Sequence, residues 1–111
     1  MAKTIDFTAR KKPYINVKLA DETVLMIGTP TKAIMTDLIA LKSNLETVKE
    51  GENTEEAING LYEACARVMS LNKAGKKITA EYLSELMDIE DIMYFFNAYM
   101  EFVVEVSDTK N

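Results

Sequence analysis

The stretch Ile89-Glu-Asp-Ile-Met-Tyr-Phe-Phe-Asn-Ala-Tyr-Met-Glu-Phe-Val-Val-Glu-Val106 decides how this chain must fold. At about 100° per residue, Ile89, Ile92, Met93, Phe96, Tyr99, Met100, Val103 and Val106 fall on one helical face. Phe95 and Phe102 flank it on one side and Val104 on the other. The apolar arc spans roughly 200°, about twice the stripe of an ordinary surface helix. Glu90, Tyr94, Asn97, Glu101, Glu105 and Asp108 leave only a narrow polar stripe. Such a helix has to be covered from two directions, one by its own core and the other by a partner. Phe95, Tyr99, Phe102 and Val106 are the expected partner-facing residues.

Upstream of this helix the pattern predicts an α+β fold, an N-terminal β-hairpin followed by a bundle of three to four helices. Pro13–Leu19 and Val24–Ile27 are rich in β-branched and aromatic residues, and Ala20-Asp21-Glu22-Thr23 suits a four-residue hairpin connection. Thr4–Phe7 is a candidate third strand. Thr29-Pro30 predicts a helix start, because proline at the first helical position loses no useful donor. Ile34, Leu38, Leu41, Leu45 and Val48 then recur in alternating steps of four and three residues, a heptad-like seam that ends at Gly51. Asn53 with Glu56 can open a second helix, whose buried face would be Ile58, Leu61, Tyr62, Cys65, Val68 and Met69, with Gly75 and its neighbouring lysines marking the end. Thr79 is the expected cap of a short helix to Met87, with Ile78 and Leu83 as its hydrophobic staple. Asp88 is the expected cap of the last helix, with Met87 set against Ile92.

One domain is expected for 111 residues with 48% hydrophobic content, long enough to bury roughly two thirds of the unfolded surface. Within it, residues 1–28 form the β region, 29–106 the helical region and 107–111 a tail. The net charge of −5 argues against nucleic acid, since phosphate binding rests on clustered Lys and Arg. The charge is unevenly spread. Residues 1–20 hold Lys3, Arg10, Lys11, Lys12 and Lys18 against Asp6, whereas residues 81–109 hold eight acids and no base. Arg10, Lys11 and Lys12 are therefore further candidates for partner contact, and head-to-tail association of copies is expected, giving a homo-oligomer. The absence of a signal-peptide-like start and of any run of about 18 apolar residues predicts no membrane association and a cytoplasmic location.

Candidate chemistry is sparse. The chain has no histidine and one cysteine, so the commonest general base, a Cys/His zinc site and an internal disulfide are all missing. Gly28-Thr29-Pro30-Thr31-Lys32 lacks the spacing of a phosphate loop. Glu85, Asp88, Glu90 and Asp91 lack the alternation and central glycine of a calcium loop and read as helix-capping acids. Cys65 reads as an inert core thiol, and Tyr94 and Tyr99 as packing residues with a wet hydroxyl. No catalytic residue, cofactor, metal or small-molecule substrate is expected, and the chain is not read as an enzyme. Its seven methionines divide between core filling and a surface able to adapt to varied apolar helices.

Four stretches, "KTIDFTARKKPYINVKL", "MIGTPTK", "LNKAGKKITAEYL" and "DIEDIMYFFNAYMEFVVEV", together covering most of the chain's features in order, resemble the small tail-assembly proteins of long-tailed phages and prophages of Gram-positive bacteria. The resemblance implies a small, mostly helical chaperone of the bacterial host cytoplasm that binds the long apolar tape-measure protein until tail-tube subunits replace it. Two other roles fit the residues: a structural tail or head-tail component that stays in the virion, and a small regulatory protein that sequesters a host factor.

Overall fold

A computed structural model describes residues 3–5, 13–47 and 54–108. The order is β1 (Ile15–Lys18), β2 (Val24–Ile27), α1 (Lys32–Thr47), α2 (Thr54–Met69), α3 (Ala80–Leu86) and α4 (Ile89–Asp108). The fold is α+β, a two-stranded antiparallel hairpin followed by four helices.

The hairpin pairs Ile15 with Ile27, Asn16 with Met26, Val17 with Leu25 and Lys18 with Val24. The second strand starts at Val24, as the sequence predicts. Leu19 donates its amide to the Thr23 carbonyl and accepts from the Glu22 amide, both at 2.8 Å, which closes a three-residue turn, Ala20–Glu22, within the predicted connection. Glu22 then takes the left-handed conformation, φ 72°, that a three-residue hairpin loop requires at its last position. Asp21 braces this loop: its carboxylate accepts from the Thr23 amide at 3.1 Å and from the Tyr82 hydroxyl, tying the hairpin to α3.

The expected third strand, Thr4–Phe7, lies only partly within the described residues. Lys3–Ile5 lie outside any strand and Ile5 is 70% exposed, while Asp6 and Phe7 fall outside the described residues. The second neighbour of β2 is the connection after α2. Lys73 donates to the Met26 carbonyl (2.8 Å), Gly28 donates to the Leu71 carbonyl (3.2 Å), and Asn72 bridges Ile27. No β-branched run announces this contact, because backbone alone makes it. Asn72, buried, holds the segment in shape: its amide donates to the Met69 and Lys76 carbonyls and its oxygen accepts from the Lys76 amide. Gly75, at φ 74°, turns the chain within that loop and not at the end of α2, which stops at Met69.

The start of α1 also moves. Thr31, not Thr29, caps it, its hydroxyl accepting from the Ile34 amide (3.3 Å) and its carbonyl from Met35 (2.8 Å). Pro30 thus precedes the cap, and the residue before a proline, here Thr29, disfavours helical backbone. Along the seam Leu38 is buried and Ile34 and Leu41 are half-buried. The Leu45 side chain, Val48, Gly51 and Asn53 lie outside the described residues.

α2 touches α1, α3, α4 and β2 and is the axis of the molecule. Leu61, Tyr62, Cys65, Val68 and Met69 are buried on it and Ile58 is half-buried, the face its periodicity predicts. Both predicted caps downstream hold: the Thr79 hydroxyl accepts from the Tyr82 amide, and the Asp88 carboxylate from the Asp91 amide (2.8 Å). Ile78, Leu83 and Ile92 are buried at the staple positions.

Candidate protein-binding surface

α4 starts well because Asp88 satisfies one of its free amides, that of Asp91, and because Glu90 and Asp91 place negative charge where the helix dipole favours it. From there the helix divides its apolar arc. Ile92, Phe95, Phe96 and Tyr99 are buried in the core, while Met93, Met100, Phe102, Val103 and Val106 are only half covered and Ile89 and Val104 are exposed.

Of the expected partner-facing residues, Phe95 and Tyr99 are therefore taken up by the subunit's own core, at 6% and 1% exposure. Phe102 and Val106 keep part of their surface. Arg10, Lys11 and Lys12 lie outside the described residues. The rings of Phe95, Tyr99 and Phe102 run along α4 with centroids 5.9 Å apart at each step, a spacing at which aromatic pairs attract.

Tyr99 departs from its sequence reading. Its hydroxyl is not wet but donates to the Gly28 carbonyl at 2.7 Å, a buried bond across the fold. Burial pushes this phenol well above its ordinary range. Tyr62 does similar work at the other end of α4, donating to the Met87 carbonyl (2.7 Å) at the junction with α3. Its phenol is also raised, first by burial and then by the nearby Asp88 and Asp91. Burial alone pushes the Cys65 thiol up to about 12, which makes it a poor nucleophile at neutral pH. Tyr94, in contrast, stands 79% exposed.

Two open depressions flank α4. One, of about 440 Å³, lies between β1 and the Asp91, Tyr94, Phe95 and Ala98 face. The other, of about 510 Å³, lies between Lys42 on α1 and Met100, Glu101, Val104 and Glu105. Apolar side chains with a few polar groups at the rim make such grooves suited to protein contact. Among the described residues no cluster of His, Cys, Asp and Glu could hold a metal ion, and no helix is long and apolar enough to cross a membrane.

Three residues that matter here are silent in the sequence. Gly28 acts through its backbone, Asn72 through a side chain that bonds backbone groups of its own loop, and Asp21 through a partner 61 positions away. The turn signal of Asn72 followed by Gly75 was the one available hint. No family model, curated protein or solved structure matches the chain.

Proposed function

We propose that this protein is a non-catalytic binding protein of phage tail assembly, a chaperone that holds the apolar tape-measure protein in the bacterial host cytoplasm before the tail tube forms around it. The observation that carries this reading is the division of α4. Its buried half completes the core, and its other half presents Met100, Val103, Val104 and Val106 incompletely covered. A Met- and Val-lined helix face adapts to apolar helices of varied sequence, which is what a long, apolar client demands. The resemblance of its sequence to small tail-assembly proteins supports the same reading, and self-association would let several copies line one extended client.

Co-purification tests it. The full chain, co-expressed with segments of a tape-measure protein, is expected to keep them soluble and elute with them, and Val104→Asp is expected to weaken this at least tenfold. Capture of a host protein in their place would favour the sequestering role. Mass spectrometry of finished particles is expected to find no copies, whereas stoichiometric copies would mark a structural component.

A further inference from the structure

Only one edge of the hairpin is occupied among the described residues. On β2, the Met26 carbonyl and the Gly28 amide serve the Leu71–Lys73 connection. Successive strand residues turn their backbone groups to opposite edges, so Leu25 and Ile27 face β1, and their register partners Val17 and Ile15 face back. The amides and carbonyls of Asn16 and Lys18 therefore point outward, with no backbone partner among the described residues. An unpaired edge of this kind is a template for another strand. Beside it lies the 440 Å³ groove walled by α4.

A strand laid in this groove would put one face over Phe95 and Ala98 and the other in water, so it must alternate apolar and polar residues. Thr4-Ile5-Asp6-Phe7 has that alternation. Within one subunit its described part, Lys3–Ile5, lies outside any strand, and Ile5 is 70% exposed. Charge agrees. Residues 1–12 carry Lys3, Arg10, Lys11 and Lys12 against Asp6, and the α4 wall offers Asp91, exposed and without an ion-pair partner among the described residues.

We infer that the open edge of β1 takes the Lys3–Phe7 segment of a second copy of this chain, added as a strand between β1 and α4. This rests on the self-association in the function proposed above and names its contact, but it is independent of the client. Strand addition repeated from copy to copy builds an open chain or a ring, and reciprocal exchange closes a dimer.

Hydrogen exchange of the Asn16 and Lys18 amides in the purified full-length protein tests it, with sedimentation run at the same concentrations and no client present. Protection of both amides is expected to rise at least tenfold as oligomer forms. Ile5→Asp, at an exposed position, should abolish both protection and association. Lys18→Pro, which removes one outward amide and no β1–β2 bond, should weaken association at least tenfold with helical circular dichroism intact. Oligomers whose Asn16 and Lys18 amides exchange freely would overturn the inference, as would a monomer at every concentration. Amides protected in a monomer would place the segment on its own edge and overturn it equally. Protection as expected, joined to failure of client capture, would count against the chaperone reading alone.

Discussion

Glu22 holds a backbone conformation that costs a side-chain-bearing residue roughly 1–2 kcal/mol, and the hairpin loop leaves it no alternative. Glycine there would remove that cost and add about 0.5–1 kcal/mol of chain entropy to be lost on folding. Glu22→Gly is therefore expected to stabilise the protein by roughly 0.5–1 kcal/mol, read as a higher urea midpoint at unchanged slope. Cys65 makes the opposite kind of prediction. Its thiol, raised by burial from 9.0 to about 12, keeps its proton in the folded state after the unfolded chain has lost it. The stability this contributes is whole below pH 9 and falls as pH rises toward 12. Unfolding free energy should decline across that window, less steeply in Cys65→Ala. The native thiol should react slowly with an alkylating reagent and quickly in denaturant.

At the scale of elements, α2 carries an unused margin. Gly60 sits in its interior, and a Cβ built there would meet only the Leu41 side chain at 3.7 Å, ordinary contact. Gly60→Ala should stabilise by about 0.5–1 kcal/mol, checked by thermal or urea unfolding. The helix start at Thr31 is equally testable. Removing a capping hydroxyl costs about 1 kcal/mol, so Thr31→Ala should show that loss and Thr29→Ala should not. Equal losses would restore the start that Thr29-Pro30 implies.

For the whole molecule, the division of α4 predicts two different failures from similar substitutions. Phe95→Asp buries a charge beside Tyr99 and should unfold the chain, seen as lost helical circular dichroism. Val104→Asp changes a 53% exposed position and should leave stability within about 0.5 kcal/mol while weakening protein contact. Tyr99→Phe belongs at this scale too, because its hydroxyl joins the last helix to the end of the hairpin. Leaving the buried Gly28 carbonyl without its donor is expected to cost about 1–3 kcal/mol.

What the sequence by itself determined is whatever local chemistry and periodicity express. The hairpin strands, the buried face of α2 from Leu61 to Met69 and the caps Thr79 and Asp88 depend on neighbours within a few positions, and each was legible there. The same periodicity showed that α4 carries too much apolar surface. It could not divide that surface, because helical phase reports direction around an axis and not what stands opposite. Phe95, at the flank of the arc, is buried because the core reaches it, and Val104 is exposed because the core does not. The third partner of the sheet was out of reach for a related reason: Leu71–Lys73 joins β2 through backbone atoms, which every residue carries. Only the packing of α2 against the hairpin put those groups within bonding distance, and with them the choice of which edge of the sheet is left unpaired among the described residues.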